Sequence, residues 1–192
     1  MEHADIVQKV RDILNEHGGD DGLSIGTDRV LLDEYIESAI PDAVVMLASK
    51  GYAVNKKQYT KEDAGTLDEA EDFISLVVAT CKEWKRPIHS LTSVDSPAYA
   101  MAQNEFTKPG PNSPIAWWDN DAQGSQLRFA PWNEEEPVNI TYNARYDAKN
   151  GINTEPKEAT AVCYMAAALV LGMFGDDTGK QRMSDISTNM LQ

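Results

Sequence analysis

The chain has 192 residues, with 31 acidic against 17 basic side chains, a formal charge of −14 and an isoelectric point near 4.5. Nucleic-acid affinity comes mainly from Lys and Arg displacing counterions, so this balance argues against direct wrapping of DNA and leaves open an acidic surface past which DNA slides without sticking. Hydrophobic residues make up 42% and come in periodic blocks, which excludes a disordered chain; the length allows one domain with a real core, or one core domain with a smaller insert.

Glu2 to His17 reads as an amphipathic helix, with Ile6, Val7, Val10, Ile13 and Leu14 in one stripe. Gly18-Gly19 ends it, and residues 22–28 form a polar connector in which Thr27 or Asp28 can cap the next helix. That second helix is expected from Arg29 to Lys50, with a stripe running from Leu32 and Ile36 to Val44 and Leu47. Pro41 removes a backbone donor within it and should bend the helix or split it, with Ser38 near a new cap. Gly51 closes the element. A short strand is expected at Tyr52–Val54, then a solvated loop through Lys56-Lys57 and the acidic run Glu62, Asp63, Asp68, Glu69, Glu71 and Asp72 around Gly65.

Glu71 to Pro87 is rich in β-branched residues and favours a strand. Ile74, Leu76, Val78 and Thr80 fall on one face, and Phe73, Val77 and Cys81 on the other. Ser96-Pro97 opens a short helix to about Asn104, since proline suits a first turn. Strands are expected at Ile115–Trp118, Gln126–Ala130 and Val138–Tyr146, the last with Val138, Ile140 and Tyr142 alternating against Asn139, Thr141 and Asn143, with hairpin punctuation at Asp119–Ser125 and a turn at Lys149-Asn150-Gly151. Helix returns from Glu155 to Phe174, breaks at Gly175-Asp176-Asp177, and resumes from Thr178 to Met190 with Met183, Ile186 and Met190 as a thin apolar stripe. The fold class is therefore α+β: a helical-bundle frame, residues 1–51 and 152–192, with a β-rich insertion at 52–151.

Few motifs carry chemistry. Asp119-Asn120-Asp121-Ala122-Gln123-Gly124 resembles the start of a calcium loop, but the twelfth position is Ala130 where a bidentate Glu is needed, so it reads as a turn. His3, His17 and His89 are scattered, and His89-Ser90 with Asp95 lacks the strained elbow of a nucleophile site. No phosphate loop or dinucleotide fingerprint occurs. No catalytic, cofactor-binding or metal-binding residue is assigned. Cys81 and Cys163 read as buried free thiols. Ala159 to Gly175 is uncharged but short for a span, and reads as a packing helix. A basic start and an apolar signal core are missing at Met1, which suggests a product of the cytoplasm or one assembled there. The tryptophans Trp84, Trp117, Trp118 and Trp132 all fall in the insertion, where they either fill a small sheet's core or anchor a protein–protein surface.

Three stretches carry a family resemblance. They are Tyr35-Ile36-Glu37-Ser38-Ala39-Ile40-Pro41-Asp42-Ala43; Glu71-Asp72-Phe73 through Trp84-Lys85-Arg86-Pro87-Ile88, with Ser96-Pro97-Ala98-Tyr99 and Gln103-Asn104-Glu105; and Tyr164-Met165-Ala166-Ala167-Ala168 with the acidic break and last helix. In layout the chain resembles the ring, or adaptor, proteins of head–tail connectors in crAss-like short-tailed phages. The resemblance implies a non-enzymatic virion protein, assembled in the host cytoplasm. It implies a homo-oligomeric ring, twelve-fold, beneath the portal protein, touching neighbouring connector or tail proteins and no membrane, with DNA passing through its channel without specific binding. Candidate interface residues are then Trp117, Trp118 and Trp132 of the insertion, Tyr164 and Ala168 of the Ala-rich helix, and Met183, Ile186 and Met190. The charge alone suggests a second reading, a small acidic interaction module of host-takeover or DNA-mimic type. A hydrolase using some of the many carboxylates is a third and weaker one.

Overall fold

The computed structural model describes residues 1–17, 29–62, 72–121, 124–133 and 135–192. The Gly18-Gly19 stop, the 22–28 connector and its cap, the acidic run from Asp63 to Glu71 and the turn residues 122–123 lie outside them. The fold is mixed α+β, with helices at both ends of the chain and strands between. It divides into two compact units, Met1–Lys56 with Arg145–Gln192, and Lys57–Ala144.

The first unit is helical: α1 (His3–His17), α2 (Arg29–Ser49), α4 (Pro156–Met173) and α5 (Asp177–Leu191). All five residues of the α1 stripe are buried, as the 3.6-residue periodicity requires. α4 is apolar on nearly every side, and α1, α2 and α5 all pack against it. Alanines at 161 and 166–168, each nearly fully buried, let the neighbouring helix backbones come close. The uncharged segment is thus a central packing helix. Among the described residues no helix is long and apolar enough to cross a membrane.

α2 runs unbroken through Pro41, so of the two expected effects of that proline, a bend or a split, the split does not occur. Ile36, Ala39 and Ile40 before the proline and Ala43, Val44 and Leu47 after it are all fully buried. Each large apolar side chain contributes about 1.5–3 kcal/mol on burial. Together they outweigh the roughly 3 kcal/mol that an interior proline costs. Ser38 is no cap; its hydroxyl donates back to the Tyr35 carbonyl at 2.9 Å. Gly51, at φ +89°, ends the helix with its amide on the Ala48 carbonyl.

The second unit holds a three-stranded sheet in the order β1-β5-β2 and a hairpin, β3-β4. These are β1 (Lys56–Lys61), β2 (Phe73–Thr80), β3 (Ile115–Asp121), β4 (Gly124–Ala130) and β5 (Val138–Ala144), with the short α3 (Pro97–Gln103) before the hairpin. The expected strand at Tyr52–Val54 is absent, and the lysine-rich Lys56–Lys61 forms β1 instead. An edge strand tolerates lysine, and Tyr59 packs on the unit's core while Gln58 and Thr60 face solvent. In β2 the expected alternation fails. The pairing with β5 shifts between Leu76 and Val78, so even-numbered Leu76 and odd-numbered Ala79 are both buried. β2 also stops at Thr80, where the expected strand continued. In β5, Val138, Ile140 and Tyr142 are buried and Asn139 and Thr141 are more open, as expected, but the alternation fails at Asn143, which is buried with its amide donating to the Ser75 hydroxyl at 2.9 Å, and the strand ends at Ala144, short of the expected Tyr146.

Candidate functional site: an aromatic cleft in the β-rich unit

The hairpin is locally encoded. β3 and β4 pair antiparallel from Ile115↔Ala130 to Asp121↔Gly124, which sets Trp117 opposite Arg128. Of the motif that resembles a calcium loop, Asp119-Asn120-Asp121 thus closes β3 and Gly124 opens β4, and Asp119 sits 3.6 Å from the Arg128 guanidinium. α3 begins where Ser96-Pro97 placed it, the Ser96 hydroxyl accepting from the Tyr99 amide at 3.2 Å. That start brings Tyr99 edge-on to Trp117, with ring centroids 5.7 Å apart, and buries Ala102 with Trp117 and Ala130.

The other aromatic residues are tied by their polar ends. Trp84 donates to the Pro131 carbonyl at 2.6 Å and Trp132 to the Glu136 carbonyl at 2.9 Å. Phe129 lies between them, tilted to Trp84 and edge-on to Trp132. Phe73 stacks on both Trp118 and Tyr142, which joins the hairpin to the sheet. Lys61 is 1% exposed. Its ammonium donates to the Leu127 carbonyl at 2.9 Å and stands 5.9 Å from the Trp132 ring centre. A buried charge needs such partners, because leaving water unpaired is costly.

Between α3 and the end of β4 this arrangement leaves a cleft of about 520 Å³. Trp117, Phe129 and Trp132 line its aromatic side, and Glu83, Lys108 and Arg128 supply its charges. The volume falls in the range that holds a drug-sized group or an inserted side chain. The Trp117 indole N–H is buried without a hydrogen-bond partner among the described residues.

The sequence-derived interface residues separate into two groups. Trp117, Ala168 and Met183 are buried inside their own units, whereas Trp118, Trp132, Tyr164, Ile186 and Met190 are half-buried. Trp117 and Trp132 meet at the cleft; Trp118 is held by Phe73. Tyr164, Met183 and Ile186 meet His17 and Arg182 in a hollow of about 210 Å³ on the helical unit. Sequence reasoning missed Phe106, which is 95% exposed in the turn after α3. The available signal was a lone aromatic in the polar, turn-forming run from Gln103 to Gly110.

Elsewhere the titrating groups have structural surroundings. Burial pushes the Cys163 thiol up to about 11. Burial, with Asp147 nearby, pushes the Tyr146 hydroxyl up to about 12. That hydroxyl lies 2.6 Å from the His3 ring. Both cysteines are free and buried. Among the described residues no group of three His, Cys, Asp or Glu side chains could hold a metal. No protein-family model matches the chain, and no curated protein matches it.

Proposed function

We propose that the chain is a virion structural protein that forms an oligomeric ring in the head–tail connector of a short-tailed phage. It extends the portal channel and offers the tail an attachment surface. The observation that carries this reading is the display of large apolar side chains on both units. Phe106, Met101 and Val94 are at least half exposed on the β-rich unit, and Tyr35, Met46, Met173 and Phe174 are partly exposed on the helical one. Isolated exposed apolar residues are ordinary on any surface; on a ring subunit flanked by neighbours, side chains such as these on more than one side are the ones the neighbours would cover. The charge of −14 suits a channel through which DNA moves without sticking. The reading assigns no catalytic residue, cofactor, metal or membrane; its partners are copies of the chain, most simply twelve, the portal protein and an adjoining tail protein.

Light scattering and negative-stain imaging of the chain, alone and with the portal protein, test it. A ring, or a monomer that becomes a ring on the portal, supports the reading. A persistent monomer without portal affinity refutes it and favours the small acidic interaction module, which requires salt-sensitive binding to a basic host protein.

A further inference from the structure

The aromatic wall of the cleft between α3 and the end of β4 is held by contacts within the β-rich unit. The Trp132 indole is tied to the Glu136 carbonyl, and Phe129 packs edge-on against its ring. Tyr99 holds Trp117 edge-on. Rings fixed in this way are preorganised for a ligand, because little order remains to be lost on binding. Trp117 is 7% exposed, and its indole N–H has no hydrogen-bond partner among the described residues. A buried donor left unmatched is costly, and the acceptor it lacks is one that the chain does not supply.

The polar groups around the cleft narrow the kind of ligand that fits. Lys108, exposed at the rim, carries donors and no acceptor, and Gln103 can serve either way. Glu83, the Pro131 carbonyl and Asp119 are acceptors already engaged, by the Asn133 amide at 3.3 Å, the Trp84 indole at 2.6 Å and the Arg128 guanidinium at 3.6 Å. A fitting molecule is therefore apolar, rich in acceptors and poor in donors. A sugar is apolar only on its ring faces and brings a donor with every hydroxyl. A proline-rich segment meets all three conditions: its rings are apolar, its carbonyls accept, and its prolines have no N–H. It is also extended before it binds, which suits docking to an aromatic-lined groove.

We propose that the cleft binds a proline-rich, extended segment of another protein. Proline rings seat against Trp117, Phe129 and Trp132, and a main-chain carbonyl of the segment accepts from the Trp117 indole. The cleft's volume of about 520 Å³ is in the range of a peptide-sized ligand. Such binding requires only the cleft, and it does not depend on whether copies of the chain form a ring.

The test titrates an oligoproline peptide of about ten residues into the full-length, nitrogen-15-labelled chain. The indole resonances of Trp117 and Trp132 report on the cleft, and Trp118, held by Phe73 outside it, is the internal control. The expected result is a saturating shift of the Trp117 and Trp132 indoles at up to about 2 mM peptide, where even a Kd near 1 mM registers. Trp118 should stay in place, and a glycine–serine peptide of the same length should move none of them. Trp117→Phe keeps a ring and removes the donor; binding, read at Trp132, should weaken about tenfold. Lys108→Glu exchanges donors for acceptors at an exposed rim position, leaves the core undisturbed and should weaken binding about threefold. Each of three results overturns the proposal: no shift of the two indoles at that concentration, an equal shift from the glycine–serine peptide, or unchanged affinity in Trp117→Phe. Should Trp117→Phe fail to fold, unchanged affinity in Lys108→Glu overturns it instead. Indole shifts that follow the concentration of the chain itself and ignore the peptide would give the cleft to a second copy, and would overturn it too.

Discussion

Replacing Asp176 by alanine should destabilise the helical unit at the junction of α1 and α5. Asp176 is the N-cap of α5, and its carboxylate accepts from the Gly179 amide at 2.8 Å. The other oxygen accepts from His17, the last residue of α1, at 2.9 Å. The His17 side chain is 15% exposed and its other ring nitrogen has no partner among the described residues. Loss of an N-cap costs about 1 kcal/mol. Loss of the charge-assisted bond to a largely buried imidazole costs roughly another 1–2 kcal/mol, because the imidazole stays behind. The sum, about 2–3 kcal/mol, should lower the urea midpoint by about 1 M at an ordinary dependence on denaturant. Asp176→Asn keeps the cap acceptor and should cost about half as much. The Gly179 amide, and then His17, hold the Asp176 carboxyl below the ordinary carboxylate range. A depressed carboxylate contributes stability that is complete above its unfolded value of about 3.9 and disappears as pH falls through the folded value. The gap between native and Asn variants should therefore be full near neutrality and close only in acid. Urea unfolding followed by far-UV circular dichroism measures both. An alanine variant within about 0.3 kcal/mol of the native chain, or an Asn variant as damaged as the alanine one, would refute this account of the helix junction.

Three further outcomes are expected. Gly151→Ala should be destabilised more than Gly51→Ala in the same urea assay: both glycines have positive φ, but a Cβ at 151 would run into the Met1 carbonyl, while one at 51 meets nothing within 4 Å. The shared backbone strain is about 1–2 kcal/mol, and only the 151 variant adds the displacement of the N-terminal residues. Ser187 is fully buried and its hydroxyl donates to the Ala161 carbonyl at 2.7 Å; Ser187→Ala should cost about 1 kcal/mol, and Ser187→Leu more, through overpacking between α5 and α4. At mildly alkaline pH neither cysteine should react with a chromogenic disulfide in the native chain, since both are buried and burial keeps the Cys163 thiol protonated up to about 11; both should react in urea.

The amino-acid sequence alone determined the features that depend on near neighbours. The α1 stripe, the Ser96-Pro97 start of α3, the Gly175-Asp176-Asp177 break and the alternation in β5 as far as Tyr142 all express a repeat or a cap within a few residues, and the structure has each of them. Tertiary structure decided what depends on a distant partner. α2 continues through Pro41 because buried residues on both sides hold it against α4. Lys56–Lys61 becomes a strand because β5 pairs with it, although its own composition argues for a loop. Leu76 and Ala79 share a buried environment because the register against β5 slips, which no periodicity within β2 records. The same logic separates the aromatic residues. Trp117 is enclosed by α3 and the hairpin, and Trp132 is held at the cleft by Phe129 and the Glu136 carbonyl. Phe106 is left in solvent by a turn bonded back to α3. Aromatic character is written in the sequence, but exposure is a property of everything packed around the ring.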